Sequence, residues 1–278
     1  MRLLFENVAQ KHFTEKRVQK FKDWIDSANQ AKDAYSLDEK ANQYDKAEEL
    51  VTFYTFAPLE LRENKKEAVQ EILKLANIHE HVEELIDVSF EKQLETPKGY
   101  LGWLTREVGT HHVRYVREQR KEHVKRGRRL EANTHVDTVI ETKNLLILIE
   151  VKFTSDISPQ TTYNSIRNQL ARTIDVGISE AEKRQKKLVV LLCSPSEFYH
   201  KKSRLYYYKL QEYSDFHRVR EDICWRDLEE IKEHVLAIAW VPLEKVIEII
   251  YRNFRSQDAD GAKKFFKERN LACMHGIS

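Results

Sequence analysis

Residues 144–153, Asn-Leu-Leu-Ile-Leu-Ile-Glu-Val-Lys-Phe, form a short run rich in Leu, Ile and Val, which predicts a β-strand. Successive side chains on a strand point to opposite faces. One face then carries Leu145, Ile147, Ile149, Val151 and Phe153. The other carries Leu146 and Leu148 and then turns charged at Glu150 and Lys152. Apolar side chains on both faces predict a central strand covered on both sides. Two charges at its end mark where the core opens into a cleft, because unpaired burial would cost several kcal/mol.

Residues 135–141 also alternate, and Lys143-Asn144 suits a two-residue hairpin turn. That turn sets Asp137 directly opposite Glu150. Cβ atoms in such pairs lie roughly 4.5–5.5 Å apart, and like charges there repel. A divalent cation held by hard oxygen donors, Mg²⁺ or Mn²⁺, would convert the repulsion into ligation. Lys152 then lies beside the metal, placed to polarise a water or hold a phosphate.

The helical period dominates elsewhere. Residues 1–95 predict a helical region, with a capping box at Ser36-Leu37-Asp38-Glu39 followed by Tyr44, Ala47, Val51 and Tyr54 at helical spacing. Further helices are expected over Leu61–Ala76 and His81–Leu94. Pro97 should open a long helix from Gly99 to about Arg126, with Leu101, Leu104, Val108, Tyr115 and Val124 on its apolar side. Glu107, His111, Arg114 and Glu118 share another face of it. Leu130–Thr134 would be the first strand of a meander with the hairpin. After a loop at 154–159 come a helix from about Thr161 to Asp175, a compact strand at Leu188–Cys193, and a tyrosine-rich segment at 198–216. Short strands at Asp222–Trp225 and Leu236–Trp240, a helix from Val241-Pro242 to about Phe254, a loop at Ser256–Gly261 and a partly disordered tail complete the pattern.

Composition narrows the function. Charged residues are 33% of the 278-residue chain, and seven Gly and five Pro fit a structure dominated by helices. No run of about 18 apolar residues is present, so no membrane span is expected, and the first residues are too polar for a secretory signal. Three scattered cysteines, Cys193, Cys224 and Cys273, lack zinc spacing and suggest reduced thiols in a cytoplasmic protein. The charge is asymmetric: residues 1–95 hold 14 Lys/Arg against 20 Asp/Glu, the remainder 33 against 25. Phosphate contact therefore belongs to the C-terminal part. Arg117–Arg129, with seven Lys/Arg and two Glu, leads directly into the hairpin and suits a nucleic-acid backbone. The acidic helical region suits dimerisation, partner binding or target positioning, or serves as a cover on the sheet. No glycine-rich phosphate loop or Ser-His-Asp spacing appears.

Asp137, followed after the hairpin by Glu150-Val151-Lys152, resembles the Asp…(Asp/Glu)-X-Lys signature of the PD-(D/E)XK (restriction endonuclease-like) nuclease superfamily, with Val136 in place of its proline. The resemblance covers residues 118–193. It implies an α/β fold whose mixed sheet has an α-β-β-β-α-β core, in a domain of residues 96–278. It also implies metal binding by Asp137, Glu150 and the Val151 carbonyl, with Lys152 orienting or deprotonating the attacking water. The helix before the sheet in that family often adds a glutamate, which points to Glu118, or else Glu107. The helix after Lys152 often lends a glutamine, which points to Gln169. The expected function is a Mg²⁺- or Mn²⁺-dependent nuclease, a DNA endonuclease of restriction, defence or repair, with a homodimer as the expected assembly. The rival is a nuclease-fold nucleic-acid-binding protein that does not cut, against which the intact acid-acid-lysine set speaks.

Overall fold

The structure, a computed structural model, describes residues 2–30, 44, 47–107 and 113–271. Its centre is a five-stranded mixed sheet in the order β1 (Leu85–Leu94), β2 (Thr134–Thr142), β3 (Leu145–Val151), β4 (Lys187–Ser194) and β5 (Val235–Pro242). The first three strands run antiparallel to their neighbours, and β4 and β5 are added in parallel. A parallel addition needs a crossover. Between β3 and β4 a helix, Gln169–Arg184, provides it. The architecture is α/β, with helices on both faces of the sheet.

β3 behaves as its alternation requires. Leu145, Ile147, Ile149 and Val151 enter one apolar cluster, and Leu146 and Leu148 enter the other. The strand is buried at every residue. The first cluster is covered by α1 (Glu6–His12), α2 (Glu15–Gln30), α3 (Glu48–Phe56), α4 (Pro58–Leu61) and α5 (Lys65–Leu75). The second lies beneath the crossover helix. The α6 (Lys98–Arg106) and α7 (Arg114–Lys125) pair forms a third, smaller cluster, where Tyr100 and Leu104 pack with Leu130 and Tyr163. Downstream of α7 follow the crossover helix α8 (Gln169–Arg184), α9 (Ser196–His200), α10 (Leu205–Glu212), α11 (Phe216–Asp222) and α12 (Leu228–His234). The chain closes with α13 (Leu243–Tyr251) and α14 (Gln257–Glu268), which return to the first cluster.

Several expectations are corrected. His81–Leu94 is no helix: it contains β1, where Val88 and Phe90, two apart, face the core. β1 takes the edge position beside β2, but α6 and α7 intervene in the chain, so the expected three-stranded meander does not form. Leu130–Thr134 contributes only its last residue to β2, because Leu130 is used in the third cluster. The long helix over 99–126 is two helices. Of the residues between them, Val108 and His111 lie outside the described residues, as do the capping box at 36–39 and Cys273. The helix expected from Thr161 begins at Gln169, where the Asn168 side chain accepts the Ala171 amide at 2.9 Å. Asp222–Trp225 is a helix end and turn rather than a strand, and the helix from Pro242 stops at Tyr251. Ser256 is an N-cap instead of the start of a loop, accepting the Ala259 amide at 3.0 Å. The helix it starts buries Ala259, Ala262, Phe265 and Phe266. Cys193 and Cys224 are free thiols, and no helix among the described residues is long and apolar enough to cross a membrane.

The N-terminal helices share one core with β3, β4 and the C-terminal helices. Tyr251 donates to the Tyr54 carbonyl at 2.5 Å, Arg2 pairs with Asp258 at 2.8 Å, and Arg62 donates to the Ile249 carbonyl at 2.8 Å. A fragment of residues 96–278 would lose β1 and expose the face of the sheet that these helices cover. Folded domains are only marginally stable, so a fragment that loses half of a shared apolar cluster should not fold. Circular dichroism of this fragment should show no cooperative melt. A transition near that of the full chain would show the N-terminal helices to be dispensable.

Candidate active site

The hairpin has the register that the Lys143-Asn144 turn requires. Thr138 pairs with Ile149, Val139 with Leu148, Ile140 with Ile147 and Glu141 with Leu146. The next step along both strands brings Asp137 beside Glu150. There the ladder gives way to a side chain: the Val151 amide donates to Asp137 Oδ2 at 2.7 Å. Glu150 is 1% exposed. Thr173 Oγ1 donates to its Oε1 at 2.7 Å, and Gln169 Nε2 donates to its Oε2 at 3.0 Å. Both donors come from the first turns of α8, so the Asn168 cap that starts the helix also places them.

Lys152 follows one residue after the end of β3. Its amide donates to the Cys193 carbonyl at 2.9 Å, which holds its backbone against β4. The residue is 8% exposed. Its ammonium closes no hydrogen bond or ion pair with another described residue, yet its charge acts on Asp137, Glu150 and Glu91. A cation so enclosed, among carboxylates but in contact with none, has capacity left for a ligand.

The electrostatics follow from enclosure. Burial first, and then the charge of Asp137, pushes the Glu150 carboxyl up to about 8, against the pull of Lys152 and the Thr173 hydrogen bond. Asp137 is raised to about 6 by burial, opposed by Lys152 and the Val151 amide. Glu150 is pushed up by burial and also by the charge of Asp137, whereas at Asp137 burial is opposed by Lys152 and the Val151 amide. Glu91 on β1 rises to about 7 through burial and the charge of Asp137. A non-glycine residue inside a strand rarely takes a positive φ, but Glu91 has φ 48°.

Glu118 is a correction. It is exposed on α7 and pairs with Lys121 at 3.0 Å, and that lysine holds its carboxyl below the usual range. Glu107 caps α6, where its charge acts on Arg120 and Cys224. The helix that brings glutamates to the centre is α3, whose Glu48 and Glu49 both raise the Asp137 carboxyl. Arg17 of α2 pairs with Glu49 at 2.8 Å and with Glu91 at 3.6 Å. Glu48, Glu49, Glu91, Arg17 and Thr173 were not foreseen from the sequence, except that the helix-borne glutamate was expected from a different helix.

Other predicted residues sort between binding and packing. In the basic segment, Arg120 is buried and donates to the Leu104 carbonyl at 2.7 Å, whereas Lys121, Lys125, Arg126, Arg128 and Arg129 are exposed. Arg167 and Asn168 are buried ahead of α8. Arg167 pairs with Glu131 and Asp175, each at 2.9 Å, and Arg226 pairs with Asp175 at 2.5 Å. This network anchors α8 and thereby Gln169 and Thr173. Among the tyrosines, Tyr206 and Tyr213 are buried, and Tyr199 stacks on Trp240 at 4.0 Å.

No cluster of three or more His, Cys, Asp or Glu suited to a metal is found among the described residues. The donors that fit a hard divalent cation are the carboxylates of Asp137 and Glu150. Their mutual repulsion in an enclosed setting is what a cation would relieve, and magnesium is commonly held by one or two carboxylates with water completing the shell.

The raised carboxyls fix a pH dependence. A carboxyl whose pKa is higher in the folded state contributes stability below its unfolded pKa and loses it as pH rises through the folded one. Without divalent cations the melting temperature should therefore fall between pH 5 and 9 as Glu91, Asp137 and Glu150 ionise, the last near pH 8. Glu150→Gln should flatten the upper part of that fall. Equal slopes for the two proteins would show that Glu150 ionises normally.

No protein-family model, curated protein or solved structure matches this chain. What the centre does has to be argued from its own chemistry.

Proposed function

We propose that this protein is a divalent-metal-dependent nuclease that hydrolyses phosphodiester bonds, with DNA as its substrate. The observation that carries the reading is the placing of Asp137 beside Glu150 with a buried Lys152 whose charge acts on both and whose ammonium has no partner among the described residues. Asp137, Glu150 and the Val151 carbonyl would hold Mg²⁺ or Mn²⁺. The bound ion would neutralise charge developing on the phosphate.

The chain's own residues supply positioning. Gln169 and Thr173 hold both oxygens of Glu150, and the Val151 amide holds one oxygen of Asp137, leaving the other for ligation. Lys152 orients the attacking water or a phosphate oxygen. The exposed Lys121, Lys125, Arg126, Arg128 and Arg129 would follow the nucleic-acid backbone. A restriction-endonuclease-like fold is part of this proposal: the β2–β3 hairpin, the α8 crossover and the parallel β4 support it, although α6 and α7 interrupt the expected run of three strands between β1 and β2. The alternative, a nuclease-fold protein that binds nucleic acid without cutting, differs only in lacking turnover.

The test uses Asp137→Asn and Lys152→Ala. Cleavage of plasmid, single-stranded DNA or RNA in Mg²⁺ or Mn²⁺ should fall by about 10²–10⁴-fold in both, the range for removal of a positioned catalytic group. Affinity should be largely retained, because it rests on dispersed Lys/Arg contacts. Mn²⁺ should raise the melting temperature of the wild type more at pH 8 than at pH 5.5, and should raise that of Asp137→Asn less. Undiminished cleavage by both folded variants would end the assignment. Binding without cleavage by the wild type would favour the alternative.

A further inference from the structure

Where the chain leaves β3 it turns three consecutive amides toward one carboxylate. The amides of Phe153, Thr154 and Ser155 donate to Glu48 Oε1 at 2.9, 3.0 and 2.9 Å, and Ser155 Oγ donates to Glu48 Oε2 at 2.8 Å. Glu48 is the first residue of α3, more than a hundred positions away in sequence. Successive N–H groups converging on a single anion make a nest, and hydrogen bonds to an ionised acceptor are roughly twice as strong as neutral ones.

We propose that Glu48 is the positioning residue for Lys152: it clamps the three residues that follow the lysine and so fixes where the ammonium points. On its other side Lys152 is held by the Cys193 carbonyl. The backbone is therefore fixed on both sides of a cation whose ammonium has no contact with another described residue. Thr154 and Ser155 are exposed; without the clamp their amides would turn to water and the segment would be free to swing. Glu48 is not available as a metal ligand in this arrangement. Its Oε1 accepts three hydrogen bonds and its Oε2 accepts one, which leaves little lone-pair capacity. The adjacent Glu49 differs, since its Oε2 accepts no hydrogen bond from a described residue, although the Lys20 ammonium lies 3.7 Å away. The two neighbouring glutamates thus divide their tasks, one holding backbone and the other pairing with Arg17 of α2.

The consequence for cleavage rests on the proposed nuclease reading, but the clamp itself does not, and the experiment reads the two separately. Full-length wild type, Glu48→Ala and Glu48→Gln would be treated briefly with N-hydroxysuccinimidyl acetate and acetylation mapped by mass spectrometry. Lys186, whose side chain is 7% exposed, serves as the control. Lys152 acetylation should rise several-fold in Glu48→Ala and return toward wild type in Glu48→Gln, whose carbonyl can still accept the amides. Lys186 should not change. Equal Lys152 labelling in wild type and Glu48→Ala would overturn the proposal whatever the protein cleaves.

In the cleavage assay, kcat should fall at least tenfold in Glu48→Ala with KM unchanged, and Glu48→Gln should recover most of the loss. Because both variants lose the charge that acts on Asp137, their Mn²⁺ affinities should be equal, and a weaker affinity in Glu48→Ala than in Glu48→Gln would overturn the positioning role by making Glu48 a ligand. A wild type that cleaves nothing while Lys152 labelling still responds to Glu48→Ala would refute the nuclease reading and leave the clamp standing.

Discussion

The whole centre depends on one constraint: two acids and a lysine are forced to the end of a strand that is otherwise sealed on both faces. β3 must run through the middle of the sheet because both of its sides are apolar. Its charged end then has to be accommodated without bulk water. Everything nearby follows from that need. Hydrogen bonds from α8 take both oxygens of Glu150, a main-chain amide takes one from Asp137, and the raised pKa values record what these bonds fail to compensate. Enclosed polar groups are costly when incompletely satisfied. Such a cost is sustained in a fold mainly where it serves binding or chemistry.

A second layer of charge stabilises the first. The Arg167–Asp175–Arg226 network lies beneath α8, and Arg17 spans Glu49 and Glu91 across two helices and the sheet edge. Neither set faces bulk water fully. Both fix elements that deliver side chains to the centre, so a substitution there would alter the geometry of Glu150 or Asp137 without touching either residue.

β3, its hairpin register and the two-face pattern were legible because they are local: an uninterrupted apolar run and a two-residue turn determine them. Gln169 was legible through its distance from Lys152. β1 was not, because Leu85, Ile86 and Val88 are spaced compatibly with either period, and the left-handed Glu91 interrupts the alternation where it would have been clearest. Glu118 was misplaced because it lies on the exposed side of α7 and pairs there with Lys121, and helical spacing alone does not say which polar side turns to the sheet. Glu48 and Glu49 were invisible for a different reason. They reach the centre only through packing of α3 against the sheet, and no spacing rule connects positions so far apart.

The joining of the two ends of the chain has a consequence for how the protein is made. α1 to α5 emerge first from the ribosome, yet the cluster they enter also needs α13 and α14, the last described helices to be synthesised. Contacts between such distant segments form slowly, because a long loop must close before they are gained. The hairpin, its crossover and the residues that hold the α3 glutamates can meet during elongation, but the apolar cluster beneath α3 closes only when α13 and α14 have been made.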